Sequence, residues 1–419
     1  MNTIIYPTTY NGSINAIGSK SMTHRALFLS LFQKQVIINN ANISEDIFET
    51  IDILTTLGAN IIINNTTIIV KGIEGIKNNL SFKIKYSATS LRFLIPVLKL
   101  LKINSTITIS ESLRKRLQNS DFKDFSIDYE IKENKLIIKN DYQLNNFYLL
   151  DFHNSSQVIS GFLIGLSYFN NNVTLQIKKP IDSYILLTIN MLKEFNQIIE
   201  HSVDEEYETF KIHNRINQNI EYLVDGDFSN SAYLLALGIK GNVEINHLNT
   251  NSKQPDAKII DFLKKANCHI SIINNKVILK QSELTPFNVD LKFNPDLAPL
   301  LMALSATMPY ESHFQNIKRL IHKESNRLVE VCKILKSLGA IIKLDDNELT
   351  ITGPTKFNDC LEFDSKNDHR LVFMLIVLAN FINKPIKILN SDAVNKSYPT
   401  YFDDLAQLKG KFSHENNSI

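Results

Sequence analysis

The feature of this sequence that most constrains its fold is a helix followed by a β-hairpin, a pattern that occurs at five places. In the clearest copy, apolar residues at helical spacing from Ile47 to Leu57 end at Gly58, and two β-branched strands follow at 60–63 and 66–70. The other copies cover residues 118–139, 185–212, 256–279 and 328–352. Their intervals of roughly 70 residues or more exceed those of solenoid repeats. The pattern therefore predicts an α/β protein made of repeated globular subdomains with mixed sheets.

The bulk composition excludes several classes of protein. A chain of 419 residues is too long for one hydrophobic core, so two domains are expected. The formal charge of +2, from 45 Lys and Arg against 43 Asp and Glu, gives no broad attraction for nucleic acid or a membrane surface. No signal peptide and no apolar run of membrane-spanning length is recognisable. Cys268, Cys332 and Cys360 are isolated, which favours reduced thiols. We therefore expect a cytoplasmic protein, and a monomer.

A cationic segment precedes the first apolar helix. Residues 18–25 read Gly-Ser-Lys-Ser-Met-Thr-His-Arg, and the apolar run 26–29 follows directly. A helix start offers free backbone N–H groups and the positive end of a dipole, so this composition suits a phosphate or a carboxylate. The spacing excludes a nucleotide P-loop because Ser19, and not glycine, precedes Lys20. The alternative is a capped helix with solvated cations.

Cations and hydroxyls also cluster near other predicted helix or strand ends. These segments are Arg114-Lys115-Arg116, Ser155-Ser156-Gln157, Lys323-Glu324-Ser325-Asn326-Arg327, Asn367-Asp368-His369-Arg370, and Lys396. Taken singly, each is more often a surface helix start or an N-cap than a functional site. The segment 368–370 is the most suggestive, because three adjacent strong hydrogen-bonding groups are difficult to satisfy without a ligand or a network. The histidines lack metal-ligand spacing and no dinucleotide motif is present, so neither a metal nor a cofactor is expected.

In their order along the chain, these segments resemble the 5-enolpyruvylshikimate-3-phosphate (EPSP) synthase family, the 3-phosphoshikimate 1-carboxyvinyltransferases. The resemblance extends from Gly18 to Phe402. The matching motifs are G-S-K-S-x-x-x-R at 18–25, T-x-x-R at 89–92, R-x-R at 114–116, S-S-Q at 155–157, G-D-x-S at 226–229, P-D at 295–296, K-E-S at 323–325 with Arg327, and D-H-R at 368–370. Each motif is weak by itself, whereas the ordered set is specific.

The resemblance implies an α/β fold, a two-domain inside-out α/β barrel with a cleft and two hinge crossings. Each domain would contain three βαβαββ-like subdomains, which agrees with the helix–hairpin copies. Residues 13–225 would form the N-terminal domain, and residues 1–12 with 226–419 the C-terminal domain.

The resemblance also implies the substrates and the residues that act on them. Phosphoenolpyruvate and 3-phosphoshikimate each carry a phosphate and a carboxylate, so a site for both needs many cations. The implied phosphoenolpyruvate ligands are Lys20, Arg92, Arg116, Gln157, Arg327, Arg370 and Lys396. The implied 3-phosphoshikimate ligands are Lys20, Ser21, Arg25, Ser155, Ser156, Gln157, Tyr184, Asp296 and Lys323. Asp296 is the implied base on the 5-hydroxyl, and Glu324, with Lys20 and His369, is the implied group for the proton at C3 of phosphoenolpyruvate.

Some positions depart from the family pattern. Ala88 stands where the family has a glycine beside the phosphoenolpyruvate pocket, in which the inhibitor glyphosate competes. The segment 181–184, Ile-Asp-Ser-Tyr, lacks the usual phosphate-binding serine, for which Ser183 is a candidate substitute. These changes flank the charged residues, so they bear on affinity and inhibition more than on activity.

Two alternative functions remain open. One is that of the sister transferase that acts on UDP-N-acetylglucosamine, which typically has Lys-Asn where this chain has Lys20-Ser21. The other is a catalytically silent anion-binding protein on the same scaffold. The presence of Asp296 and Glu324 argues against the second, because a pure anion binder has no need of carboxylates among its cations.

Overall fold

The computed structural model describes residues 1–117, 119–150, 155–169, 172–354, 356–358 and 361–415, and of residues 119–121 the backbone alone. The Cα positions divide the chain into two compact units. The central unit comprises Gly18–Val224, and the terminal unit comprises Met1–Ile17 with Asp225–Ile419. Residue 13, at which the N-terminal domain is predicted to begin, lies within a strand of the terminal unit. The domain boundaries themselves stay a prediction.

The helices and strands alternate along most of the chain. The α-helices are α1 (Lys20–Ser30), α2 (Glu45–Leu57), α3 (Ala88–Leu100), α4 (Glu111–Arg116), α5 (Ser156–Leu166), α6 (Ser183–Glu194), α7 (Phe228–Ala236), α8 (Ile259–Lys265), α9 (Ala298–Ser305), α10 (Arg327–Ser337), α11 (His369–Ile382) and α12 (Tyr401–Gln407). Short 3₁₀ helices lie at Asn119–Phe125, Leu237–Lys240, Pro255–Lys258, Ile317–Leu320 and Ser391–Lys396.

The strands of the central unit are β3 (Gln35–Asn39), β4 (Asn60–Asn64), β5 (Thr67–Lys71), β6 (Leu80–Ile84), β7 (Ser105–Ile109), β8 (Glu130–Lys132), β9 (Lys135–Ile138), β10 (Phe147–Leu150), β11 (Val173–Lys178), β12 (Gln197–Val203), β13 (Tyr207–Arg215) and β14 (Asn219–Leu223). Those of the terminal unit are β1 (Asn2–Tyr6), β2 (Asn11–Asn15), β15 (Asn242–Asn246), β16 (His269–Ile273), β17 (Lys276–Lys280), β18 (Asn288–Asp290), β19 (Ser312–Gln315), β20 (Ile341–Asp345), β21 (Glu348–Thr352), β22 (Glu362–Asp364), β23 (Ile386–Leu389) and β24 (Lys411–Glu415).

Within the described residues each unit has three sheets of four strands, and all share one arrangement. The strand orders are β14-β3-β5-β4, β6-β7-β9-β8 and β10-β11-β13-β12 in the central unit, and β2-β15-β17-β16, β18-β19-β21-β20 and β22-β23-β1-β24 in the terminal unit. Each sheet starts with a parallel pair and continues with two antiparallel neighbours, as β6, β7, β9 and β8 do. In the sheets that contain β6, β10 and β18, the α-helices and strands follow the chain order βαβαββ, and in each of the other three sheets one strand, β14, β2 or β1, comes from a distant part of the chain.

The predicted helix–hairpin copies are confirmed, and the structure adds one more. The hairpins β4–β5, β8–β9, β12–β13, β16–β17 and β20–β21 follow helices as expected. In the copy at 118–139 the helix is of the 3₁₀ type over Asn119–Phe125, and residue 118 lies outside the described residues. The sixth copy pairs β24 with β1 from the other end of the chain. No contiguous hairpin marks it in the sequence.

The first helix of each subdomain lies in the hydrophobic core, and the sheets surround these helices. Every residue of α9 is buried, as is every residue of α11 except Phe381. In the central unit α1, α3 and α5 pack against one another, and in the terminal unit α11 packs against α7 and α9. Edge strands such as β4 and β20 expose most of their residues. The described residues include no helix whose length and apolarity would let it cross a membrane.

Candidate functional site

In the core helices of the central unit, α1, α3 and α5, the residues that are not buried lie in the N-terminal turns. The residues that are not buried in these fully described helices are Lys20 and Ser21 in α1, Thr89 and Arg92 in α3, and Gln157 in α5. Hydrogen bonds connect the first turns of α3 and α5. Gln157 Nε2 donates to Thr89 Oγ1 at 2.8 Å, and Arg92 Nη1 donates to Gln157 Oε1 at 3.0 Å. Helix N-termini carry unpaired N–H groups and a positive partial charge, so adjacent turns of this kind suit an anion.

The turn before α1 runs against the backbone of a neighbouring loop. A Cβ atom on Gly18 would lie 1.7 Å from the carbonyl oxygen of Asn40, so glycine is required. The Ser19 hydroxyl caps the helix by accepting the N–H of Met22. Lys20 Nζ then donates to Asp46 Oδ2 at 2.6 Å, with the lysine side chain 16% exposed. The helix is capped, as the alternative interpretation expected. Lys20, however, forms an ion pair with Asp46 and is not a solvated cation.

Arg25 is a buried cation that makes hydrogen bonds only with neutral groups among the described residues. Its Nε donates to Thr188 Oγ1 at 2.8 Å, and its Nη atoms donate to Ser160 Oγ and to the backbone oxygens of Ser21 and Tyr184. Burial lowers the pKa of its guanidinium to about 10. A desolvated guanidinium without a carboxylate in contact is electrostatically unsatisfied, so a nearby anion is favoured.

The other predicted residues of the central unit lie on elements that adjoin these turns. Arg116 ends α4, and its carbonyl oxygen accepts Arg92 Nη2 at 2.6 Å. Ser155 occupies the N-cap position of α5, yet its side chain makes no capping hydrogen bond. Ser156 begins that helix and is buried. Of the two roles left open for this segment, capping by Ser155 is excluded.

Asp182 caps α6 in the segment that departs from the family pattern. Its carboxylate accepts the N–H of Tyr184 at 2.9 Å. The carbonyl oxygen of Tyr184 accepts Arg25, and the tyrosine ring lies 5.5 Å from the guanidinium carbon. The altered segment therefore still presents Tyr184 to Arg25.

In the terminal unit, Asp296 lies among three cations. Its Oδ1 accepts Arg327 Nη1 at 2.8 Å and Lys323 Nζ at 3.2 Å, and Arg370 Nη2 is 3.6 Å from Oδ2. Burial raises the pKa of this carboxyl, but Lys323, Arg327 and Arg370 outweigh it and hold the pKa well below the usual range. Asp296 is therefore ionised at neutral pH. Burial also lowers the pKa of Lys323, which Asp296 partly restores.

A buried ion pair joins the starts of α10 and α11. Asp368 Oδ2 accepts Arg327 Nε at 2.8 Å and Oδ1 accepts Arg327 Nη2 at 3.1 Å, and both side chains are almost fully buried. Asp368 also caps α11 by accepting the N–H of Arg370 at 3.0 Å. The same carboxylate accepts both the N–H and the hydroxyl of Ser325. This one residue fixes Arg327, the loop before α10 and the first turn of α11.

Arg370 is oriented by α7. Its Nη1 donates to the carbonyl oxygen of Ser229 at 2.6 Å and to Asn230 Oδ1 at 2.9 Å, and its guanidinium carbon lies 5.6 Å from the ring centre of Tyr233. The Tyr233 hydroxyl donates to the carbonyl oxygen of Asp296 at 2.9 Å. The Nε of Arg370 is buried and has no hydrogen-bond partner within the described part of the chain.

Glu324 lies between an imidazole and an ammonium group. Its Oε2 is 3.1 Å from His369 Nδ1 and 4.0 Å from Lys396 Nζ, and Lys396 also donates to the carbonyl oxygen of Asn367. Ligand atoms of Glu324, Asp368 and His369 lie within 4.8 Å of one another. Both oxygens of Asp368 already accept Arg327, so neighbouring cations disfavour a metal ion here.

The sequence named the charged residues but not all of their partners. It assigned no role to Asp46, which binds Lys20, or to Thr89, which binds Gln157. The sequence marks Asp368 as part of a suggestive segment, but its pairing with Arg327 depends on contact between two helices that are distant in the chain. No local spacing could reveal these contacts, because periodicity reports faces of single elements.

Comparisons with known proteins identify the family and the fold of this chain. A profile of the family described as EPSP synthase (3-phosphoshikimate 1-carboxyvinyltransferase) matches residues 5–405. A 3-phosphoshikimate 1-carboxyvinyltransferase of Clostridium novyi (strain NT) is 32% identical over 98% of each chain. The crystal structure of EPSP synthase from Acinetobacter baumannii superposes with a TM-score of 0.76 at 20% identity and covers 99% of this chain and 100% of its own. The enolpyruvyl transferase NikO from Streptomyces tendae gives a TM-score of 0.77 at 14% identity over 98% of each chain. These likenesses confirm the predicted two-domain inside-out α/β fold, and the chain belongs to the EPSP synthase (3-phosphoshikimate 1-carboxyvinyltransferase) family.

Proposed function

We propose that this protein transfers the enolpyruvyl group of phosphoenolpyruvate to the 5-hydroxyl of 3-phosphoshikimate, releasing phosphate in the shikimate pathway to chorismate and the aromatic amino acids. The observation that carries the proposal is the placement of Asp296 and Glu324 next to Lys323, Arg327 and Lys396. A site of this composition can bind anions and still offer carboxylates for proton transfer. Family membership supports the same reaction.

In the proposed complex, the central unit supplies the groups that hold both substrates. Arg25, with the Ser155 and Ser156 hydroxyls and Tyr184, binds 3-phosphoshikimate, together with Ser21. Lys20, Arg92, Arg116 and Gln157 bind phosphoenolpyruvate, and Lys20 and Gln157 also reach the shikimate ring. Support comes from Arg25, a buried cation whose direct partners are neutral, and from the helix starts that carry the other residues.

Asp296 acts as the base on the 5-hydroxyl. A carboxylate with a pKa well below the usual range is a weak base. The cations that lower this pKa, Lys323, Arg327 and Arg370, are the residues assigned to substrate anions. When those anions bind, their charge offsets the cations, so the basicity of Asp296 rises in the loaded site.

Glu324, with His369, supplies the proton to C3 of phosphoenolpyruvate. The hydroxyl oxygen attacks C2 as C3 is protonated, which gives a tetrahedral adduct. Removal of a proton from C3 and departure of phosphate from C2 then restore the double bond. No electron is gained or lost overall, so the reaction balances without a cofactor. Lys20 and Lys396 stabilise negative charge during both steps.

The proposal is tested by phosphate release from phosphoenolpyruvate. Activity is expected with 3-phosphoshikimate and not with UDP-N-acetylglucosamine. Activity with the second acceptor alone would identify the sister reaction. Binding of phosphoenolpyruvate without turnover on either acceptor would identify a silent anion-binding protein.

We further propose that the protein acts in the cytoplasm as a monomer. Cys268 and Cys332 form no disulfide, which fits a reducing compartment, whereas Cys360 lies outside the described residues. Sedimentation at micromolar concentration would test the oligomeric state.

A further inference from the structure

Polar side chains of α2 connect this helix to α1 and to α3. Asp46, in the first turn of α2, accepts Lys20 of α1. One turn later, Thr50 Oγ1 lies 2.8 Å from Nδ1 of His24 in α1 and 2.7 Å from Oγ of Ser90 in α3. Thr50 and both of these partners are buried. The outer helix α2 thus joins two core helices near their starts.

Glu49 of the same helix binds the loop that precedes α3. Its Oε1 accepts the backbone N–H of Lys85 at 2.5 Å, and its Oε2 accepts that of Ser87 at 2.8 Å. The N–H of Tyr86 lies between the two oxygens, 3.1 Å from Oε1 and 3.3 Å from Oε2. Three successive amides of one loop therefore point at one carboxyl group. Backbone N–H groups donate and cannot accept, so both carboxyl oxygens must act as acceptors here.

This carboxyl group is not used in the reaction described above, and its position has a cost. Glu49 is half-buried, and desolvation of a carboxylate is unfavourable. Burial raises the pKa of Glu49, which the three backbone hydrogen bonds only partly offset. A glutamate retained at such a position calls for a role that the apolar side of α2 does not supply.

The loop that Glu49 binds determines where α3 begins. Ser87, the last of the three residues that it contacts, is the N-cap of α3, and its hydroxyl accepts an N–H of the first turn. Arg92 lies in the next turn, where its Nη1 donates to Gln157 and its Nη2 donates to the carbonyl oxygen of Arg116. A displacement of the cap would therefore move Arg92 relative to both partners.

We propose that Glu49 is a positioning residue for phosphoenolpyruvate binding, because its two carboxyl oxygens fix the loop 85–87 and thereby the place of Arg92. The proposal rests on the function proposed above and concerns the same site. Glu49 acts through the backbone of the loop and not by contact with the substrate. A direct effect of its charge would have the opposite sign, because a negative charge near the site repels phosphoenolpyruvate and its removal would strengthen binding. The direction of the change in affinity therefore distinguishes the two effects.

The test compares the steady-state kinetics of wild type and Glu49→Gln. Glutamine keeps the shape but replaces one acceptor oxygen by an amide donor, which cannot pair with a backbone N–H. We expect the KM for phosphoenolpyruvate to rise about 10-fold, as loss of a hydrogen bond to a charged group does. The KM for 3-phosphoshikimate should change by less than about twofold, because Arg25 and Tyr184 lie on other elements. A mere loss of stability would reduce the active fraction and leave both KM values unchanged.

Asp52→Asn is the matched control. Asp52 is an exposed acid of the same helix, and its replacement removes the same charge without touching the loop. Both KM values should therefore stay as in wild type. Amide hydrogen exchange at residues 85–87 tests the contact itself without substrate, and protection should fall in Glu49→Gln and persist in Asp52→Asn.

A second variant keeps the inference testable if Glu49→Gln fails to fold. Glu49→Met has a similar length and removes both acceptors without adding a donor, so the KM for phosphoenolpyruvate should rise again. An unchanged or lowered KM for phosphoenolpyruvate, an equal rise for both substrates, or unchanged exchange at 85–87 would overturn the inference. Wild type inactive with 3-phosphoshikimate would instead overturn the proposed function. Calorimetric binding of phosphoenolpyruvate would then decide the inference, with weaker binding expected in Glu49→Gln.

Discussion

Replacing Asp368 by Asn tests whether one buried carboxylate holds the terminal-unit cluster together. Asn caps helices about as well as Asp, so the cap on α11 is retained. The charge pair with Arg327 is lost, and an amide N–H can face the guanidinium. Removal of one partner of a buried pair costs about 3–5 kcal/mol. Because Arg327 keeps Asp296 at 2.8 Å, we expect the lower value, about 3 kcal/mol, which is about 6–12 °C in Tm for a domain of 150–250 residues.

The assay is thermal unfolding of both proteins from pH 7 to pH 3. Burial raises the pKa of Asp368, but Arg327 outweighs it, so the net pKa is lowered. A lowered carboxyl pKa gives stability that is complete above the unfolded pKa of about 4 and is lost as the pH falls below it. The difference in Tm should therefore be constant near neutrality and shrink below about pH 4. Asp346→Asn, at an exposed pair with Lys318, is the control and should change little. A difference below about 1 kcal/mol at pH 7 would refute the reasoning.

Four further predictions concern turnover and inhibition. Lys20→Ala should keep the fold and reduce kcat about 10²–10³-fold, because it removes the cation, held in place by Asp46, that is proposed to stabilise negative charge on the substrates. Circular dichroism checks the fold, and steady-state kinetics checks kcat. Asp296→Asn should lower kcat more than it weakens phosphoenolpyruvate binding. Glu324→Gln should slow the exchange of solvent deuterium into the methylene group of phosphoenolpyruvate, and an unchanged exchange rate would contradict the role of Glu324. Ala88 is buried in the first turn of α3, and Ala88→Gly should bind glyphosate more tightly by about 1–3 kcal/mol, which an unaltered inhibition constant would disprove.

The repeated subdomain was predictable from sequence where its hairpin is contiguous. Helix α2 with β4 and β5 matches its predicted copy to within a residue or two, because helical spacing, Gly58 and β-branched strands agree locally. The copy that contains α12 was missed because β24 pairs with β1. A strand supplied from the opposite end of the chain leaves no local signal.

The site was predictable in composition and not in connectivity. The cations at 20, 25, 92, 327 and 370 follow from motifs, and helix starts are their natural place. Asp296 was named as a site residue with them, but the carboxylates of Asp46 and Asp368, which hold Lys20 and Arg327, could not be assigned to those cations. Asp46 and Asp368 contact residues more than 25 positions away, and only the folded chain brings those groups together.

The repeated subdomain itself explains why such clusters occur in both units. The core helices α1, α3, α5, α7, α9 and α11 have no acidic residue in their first turns. Acids are normally favoured there, and five of the six outer helices, α2, α4, α8, α10 and α12, carry them, whereas α6 does not. The core helices α7 and α11 have acidic N-caps. Asp227 and Asp368 each accept a backbone N–H of their own helix, and Asp368 also accepts Arg327. The core helices α1, α3 and α5 have serines at their N-cap positions and so keep roughly half a positive charge at their starts. An acid introduced into one of those three turns would weaken anion binding rather than stabilise the helix.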